Sequence, residues 1–178
     1  MKRVRKRRSK VILVLGGAAS GKSQAALDLA GAARPRAFVA TGEARDIEMR
    51  KRISRHQASR SSDWTTAEVP VDLIAWFSTH SDRYRVVVLD CLTLWLSNLR
   101  QSRVAESVVP DRVAELLQAI RRSSARVVIV SNELGLGLVP VGRSVRSFRD
   151  LAGKINQQVA AEADEVYLVV SGQSLKLK

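Results

Sequence analysis

Eight consecutive residues, Gly16-Gly17-Ala18-Ala19-Ser20-Gly21-Lys22-Ser23, have the types and spacing of a loop that cradles phosphate. Glycines let the backbone turn tightly enough for its N–H groups to point inward at phosphate oxygens. Lys22 adds a point charge suited to the β- and γ-phosphates of a nucleotide, and Ser23 a hydroxyl for Mg²⁺. Residues 11–15, just before the loop, are apolar and β-branched, which predicts a buried strand. Residues 23–33, just after it, are rich in Ala and Leu and predict a helix that ends by Gly31 and Pro35. A helix opening directly after such a loop turns its positive N-terminal end toward the bound anion.

Asp90 closes the apolar run Val86-Val87-Val88-Leu89. At the carboxyl end of a parallel strand a carboxylate faces the ligand crevice and can hold Mg²⁺ directly or through water. Its other use would be to cap the helix that starts after Cys91. Of the two histidines, His80 lies in the polar stretch Ser78-Thr79-His80-Ser81-Asp82 and reads as surface loop. His56 follows Arg50-Lys51-Arg52-Ile53-Ser54-Arg55. On a helix Met49, Ile53 and His56 share one face while the cations fan out around them. Surrounding cations disfavour protonation of imidazole, which leaves the neutral ring a nucleophile requires. The residues alone equally allow an ordinary histidine on a basic, solvated helix. Cys91 is the sole cysteine, so it forms no internal disulfide, and it reads as a small buried apolar residue.

These candidates need elements to hold them. Short apolar runs at 11–15, 37–40, 64–69, 85–89, 126–130 and 166–170 predict strands, with a further edge strand at 174–178. Helix-length segments fall between them at 23–33, 44–58, 71–79, 92–99, 111–122 and 148–163. Strands separated by helices need crossover connections, hence a largely parallel sheet covered on both faces. The fold class is therefore α/β, a three-layer, mostly parallel domain, and with its phosphate loop it is similar to the P-loop NTPase (RecA-like) type. Residues 60–63 and 135–147 read as loops, the second rich in Gly and Pro and long enough to suggest function.

The 178 residues, 46% hydrophobic, fit one domain with a sizeable core. No apolar run approaches the roughly 18–20 residues of a membrane span. The net charge is +13, yet the first ten residues hold seven Lys or Arg, and without them the excess falls to +6. Residues 1–10 are thus expected as a basic, disordered tail and residues 11–178 as the single folded domain. The tail reads either as a solvated terminus or as a contact for nucleic acid or an anionic surface. Only 4% of residues are aromatic and no docking motif is visible, so nucleic acid is not expected as a partner. The lone cysteine and the absence of an export signal fit a reducing cytoplasm.

Seven ordered stretches together resemble the bifunctional adenosylcobinamide kinase / adenosylcobinamide-phosphate guanylyltransferases of cobalamin biosynthesis. They are GGAASGKS (16–23), FVATGEARDIEMRKRISRH (38–56), TAEVP (66–70), LDCLTLWLSNL (89–99), SNELGLGLVP (131–140), FRDLAGKINQQVAAEADEVYLVVSG (148–172) and the closing LKLK. The SNELGLGLVP and FRDLAGKINQ stretches are far more specific than the phosphate loop. The resemblance implies that ATP or GTP phosphorylates adenosylcobinamide and that GMP from GTP is then attached to that phosphate. It implies His56 as the guanylylated carrier, since the family places it after Arg-Ile-x-x, here Arg52-Ile53-Ser54-Arg55. It implies GTP contacts at Ala40, Thr41 and Gly42, nucleotide contacts at Gln57, Ala58, Ser59 and Arg60, and acidic site positions at Glu68 and Asp90. Mg²⁺ is the cofactor expected from Ser23 and Asp90, and the resemblance implies a homo-oligomer, commonly a trimer. Two departures stand out: Ser61 follows Arg60 where the family often has proline, and residues 141–147 fit the pattern poorly.

Overall fold

The computed structural model describes residues 9–44, 47, 50 and 61–178. Its strands are β1 (Val11–Gly16), β2 (Arg36–Ala40), β3 (Trp64–Glu68), β4 (Val86–Asp90), β5 (Arg126–Asn132), β6 (Glu165–Val170) and β7 (Gln173–Lys176). The helices among the described residues are α1 (Lys22–Ala30), α2 (Leu73–His80), α3 (Leu92–Gln101), α4 (Val109–Arg122) and α5 (Arg143–Glu162). One sheet holds all seven strands in the order β3-β2-β4-β5-β1-β6-β7. Every pairing is parallel except the β6–β7 hairpin.

The central strands are continuous apolar runs up to their carboxyl ends because both faces are covered. Val11, Leu13 and Leu15 of β1, Val87 and Leu89 of β4, and Val127 and Ile129 of β5 point to one side. There they meet Phe77 of α2, Trp95 and Leu99 of α3, Leu116 and Ile120 of α4, and Ile155 and Val159 of α5. The alternate residues Ile12, Val14, Val86, Val88, Val128 and Val130 pack on the other side with Ala26 and Ala30 of α1. The small alanines let α1 lie close to the sheet, so its first turn sits directly over the strand ends. Cys91 is buried in this second cluster, as its size suggested.

Three features differ from the sequence reading. Helix α5 begins at Arg143, five residues before the expected 148, which shortens the preceding loop. The early start is held by tertiary contacts that no local pattern displays. Arg146 donates to Pro140 O at 3.0 Å, and Arg100 of α3 donates to the carbonyl and hydroxyl of Ser144 at 2.9 and 2.8 Å. His80 is the last residue of α2 rather than loop, stacked on Trp76 with ring centroids 5.8 Å apart. Ser9 and Lys10, read as tail, are held by the fold: Arg121 donates to Ser9 O at 2.7 Å, and Lys10 pairs with Glu165 at 2.6 Å. Residues 1–8 of that tail lie outside the described residues. Of the expected helix 44–58, only residues 44, 47 and 50 are described, and 47 and 50 are helical.

Candidate active site

The register of the sheet gathers most of the described candidates along one edge. Ala40 pairs with Glu68 on one side and with Asp90 on the other. Further along, Gly16 pairs with Asn132 of β5 and with Val169 of β6. All are at the carboxyl ends of parallel strands, where crevices form in open α/β sheets.

The turn between β1 and α1 occupies this edge. Gly17, Ala18, Ala19 and Gly21 are exposed, whereas Lys22 is buried and its Nζ donates to Gly17 O at 2.5 Å. The ammonium is thus folded back over the loop. Gly21 adopts φ +95, a left-handed conformation that side chains resist, and a Cβ there would come within 3.2 Å of Gly172 Cα. Gly16 has no room for a side chain either, since a Cβ would meet Val169 O at 2.5 Å and Ser20 Oγ at 2.6 Å. The β6–β7 turn therefore supports the loop from outside, and Gly172 N–H donates to Ser20 O at 2.9 Å.

Ser23 Oγ donates to Asp90 Oδ2 at 2.6 Å. A hydroxyl and a carboxylate so placed offer the hard oxygen donors a divalent cation takes. Among the described residues no group of three or more His, Cys, Asp or Glu side chains could hold a metal. A cation here would draw its remaining ligands from water and from a bound polyphosphate, which is the usual habit of Mg²⁺. Next to Asp90, burial and then the Asp90 charge push the Cys91 thiol up to about 12, so it stays protonated and is no nucleophile.

The other candidates divide. Glu68 is exposed at the end of β3, one strand from Ala40. Gly42 follows, half-buried. Thr41 is fully buried, and its hydroxyl donates to Cys91 O at 2.7 Å while accepting from Cys91 N–H at 2.8 Å. Its own N–H donates to Asp90 O at 3.2 Å, so Thr41 pins the backbone that carries Asp90. Asn98 of α3 donates in turn to Thr41 O at 2.8 Å and to Pro70 O at 3.0 Å. Thr41→Val keeps the shape and removes the hydroxyl. Cys91 O retains Trp95 N–H as a partner, but Cys91 N–H is orphaned. The variant is expected to lose about 1–3 kcal/mol in urea unfolding. His56, Gln57, Ala58, Ser59 and Arg60 lie outside the described residues.

Behind the strand ends lies a polar group that the sequence did not single out. Ser131 Oγ donates to Asn156 Oδ1 at 2.7 Å and lies 3.1 Å from Thr93 Oγ1. Thr93 Oγ1 accepts from Asn132 N–H at 2.8 Å, and Asn156 donates to Asn132 O at 3.0 Å. Thr93, Ser131 and Asn156 are 6%, 0% and 4% exposed, so this network spans α3, β5 and α5 inside the core. A polar triplet within apolar runs was its only sequence signal.

The model of the cobinamide kinase / cobinamide phosphate guanyltransferase family (CobU) matches residues 12–177, nearly the whole described fold. The chain belongs to this family. Relatives agree at full length. The bifunctional adenosylcobalamin biosynthesis protein CobU of Salmonella typhimurium is 39% identical over 94% of this chain and 99% of its own. CobP of Pseudomonas aeruginosa, described in the same words, is 39% identical over 93% of this chain and 96% of its own. Solved structures share the fold at much lower identity. The RadB recombinase superposes with a TM-score of 0.50 at 14% identity, over 91% of this chain and 74% of its own. The P4 protein of bacteriophage phi6, solved with ADP, gives 0.50 at 15% identity over 93% of this chain, which spans only 52% of P4. The cobinamide kinase / guanyltransferase chain thus has the expected mostly parallel P-loop NTPase sheet. Among its described residues no helix is long and apolar enough to cross a membrane.

Proposed function

We propose that one nucleotide site, built on residues 16–23, serves two transfers. In the first, the aminopropanol hydroxyl of adenosylcobinamide attacks the γ-phosphorus of ATP or GTP and the nucleoside diphosphate leaves. In the second, GMP from GTP is joined to the new phosphate, giving adenosyl-GDP-cobinamide and pyrophosphate. The observation that carries this reading is the 2.6 Å contact between Ser23 and Asp90 at the head of the loop, in a chain of this family.

In this reading the N–H groups of residues 17–21 and the N-terminus of α1 receive the phosphates. Lys22 neutralises charge on the β- and γ-phosphates. Ser23 and Asp90 would hold a divalent cation, Mg²⁺, which when bound draws charge from the phosphate oxygens as it accumulates. For guanylyl transfer the neutral His56 nitrogen forms a bond to the α-phosphorus of GTP while the bond to pyrophosphate breaks. An oxygen of cobinamide phosphate then displaces the imidazole and takes the GMP. Two displacements replace one difficult transfer. Gln57, Ala58, Ser59 and Arg60 border this carrier, with Arg60 on phosphate. Ala40 and Gly42 flank the nucleotide, Thr41 supports them from inside, and Glu68 contacts guanine or the metal. The enzyme works as a homo-oligomer, a trimer on the family's pattern, in the cytoplasm, with residues 11–178 as one catalytic domain.

The test is product analysis with adenosylcobinamide, excess GTP and Mg²⁺. Both adenosylcobinamide phosphate and adenosyl-GDP-cobinamide are expected. Accumulation of the phosphate alone would leave a kinase without the second activity, and neither product would sink the reading.

A further inference from the structure

Asn132 combines a fixed backbone with an uncommitted side chain beside the phosphate loop. Its N–H is held by Thr93 and its carbonyl by Asn156, both from buried side chains. The next residue, Glu133, donates its N–H to Gly16 O at 3.0 Å, which ties the end of β5 to the start of the loop. Among the described residues no hydrogen bond engages the Asn132 carboxamide itself.

The pleat decides where that carboxamide goes. Ser131 points into the helical layer of α3 and α5, where Thr93 and Asn156 meet it. Asn132 therefore faces the opposite side, with Val128 and Val130, over which α1 packs. Asp90 is on the same face, paired with Val130 and bonded to Ser23. Asn132 lies one pleat repeat beyond that level, roughly 6–7 Å further along the strand direction. Its register neighbour is Gly16, the first residue of the phosphate loop. The Lys22 ammonium rests on Gly17 O, at the same end of the loop. Lysine in this loop serves the β- and γ-phosphates, so this is the end that receives the γ-phosphoryl group.

We propose that Asn132 is a further catalytic residue of the phosphoryl-transfer step, donating its carboxamide N–H to an oxygen of the γ-phosphoryl group in transit. Thr93, Ser131 and Asn156 are its positioning residues. The inference rests on the reading of residues 16–23 as the nucleotide site. No proton or electron pair passes through Asn132: the attacking hydroxyl forms the new P–O bond, the bond to the nucleoside diphosphate breaks, and the amide stabilises charge between them. A neutral amide suits that task, because a carboxylate would repel the phosphate oxygens. A donor fixed beforehand needs no reorganisation as the charge develops.

The experiment compares wild type, Asn132→Ala and Asn132→Asp in two assays on the full chain. One is phosphorylation of adenosylcobinamide by ATP, and the other is protein labelling by α-labelled GTP. Asn132→Ala is expected to lower kcat of phosphorylation about 100-fold, as loss of one fixed donor does, with KM for ATP nearly unchanged. Labelling, which is attack at the α-phosphorus, should change by less than about threefold. Asn132→Asp should be slower still and recover part of its rate as pH falls and the new carboxylate protonates. The proposal is overturned if kcat of phosphorylation stays within about threefold of wild type, or if both assays fall together. A wild-type chain inactive in both assays would instead remove the nucleotide-site reading beneath it.

Discussion

In a Lys22→Ala variant both transfers are expected to slow by about a thousandfold or more in kcat/KM, in line with the loss of a preorganised charge at a phosphoryl group. The side chain is only 7% exposed, so its ammonium acts where water screens little. Its hydrogen-bond partner among the loop atoms is Gly17 O, a neutral carbonyl. Circular dichroism and the urea midpoint separate a loss of catalysis from a loss of folding in this variant. Both reactions suffer because both depend on the same polyphosphate end: the γ-group in one, the departing pyrophosphate in the other. Lys22→Arg should rescue poorly, since a planar fork cannot take the place of a compact ammonium lying on the loop. Steady-state rates of each reaction, measured separately, check this. A Lys22→Ala enzyme within tenfold of wild type in either one would contradict the assigned role.

The second large effect is selective. His56→Ala is expected to take up no label from α-labelled GTP, while wild type carries one acid-labile guanylyl group per active site. Phosphorylation of adenosylcobinamide should persist in the variant, because the carrier takes no part in γ-transfer. The selectivity follows from the chemistry: a phosphoramidate bond needs the imidazole nitrogen, whereas a kinase step needs only aligned phosphate and acceptor. The label should be lost in acid and survive alkali, as a P–N bond requires. Equal labelling of wild type and variant would exclude His56 as carrier. Loss of both reactions would point to a structural part for that residue.

Much of this fold was legible because its signals are local. The apolar runs of β1, β4 and β5 read as strands buried on two faces, and Gly16–Ser23 read as a strand-to-helix loop. Asp90 was found because it ends such a run, and the structure brings it to Ser23, 67 residues away in sequence. The strand order was not legible. That β1 lies between β5 and β6 depends on crossovers whose packing no single segment records. Thr41 was singled out with its neighbours as a nucleotide contact, but its hydroxyl is engaged with the Cys91 backbone. Asn132, Thr93 and Asn156 were missed for a related reason. Each looks ordinary within its own segment until the sheet and two helices converge. The start of α5 was misplaced because Gly142 and Pro140 suggest loop, while the arginines that hold its first turn come partly from another helix.

The turn at Ser171 and Gly172 has a consequence for how the enzyme is made. Residues 16–23 leave the ribosome well before the backbone that braces them through Ser20 and Gly21. β1 cannot gain its neighbours β5 and β6 until Arg126–Asn132 and Glu165–Val170 have been translated. A nascent chain therefore carries the complete phosphate-binding motif long before it can grip a nucleotide. Binding competence waits on strands that follow the motif by more than a hundred residues.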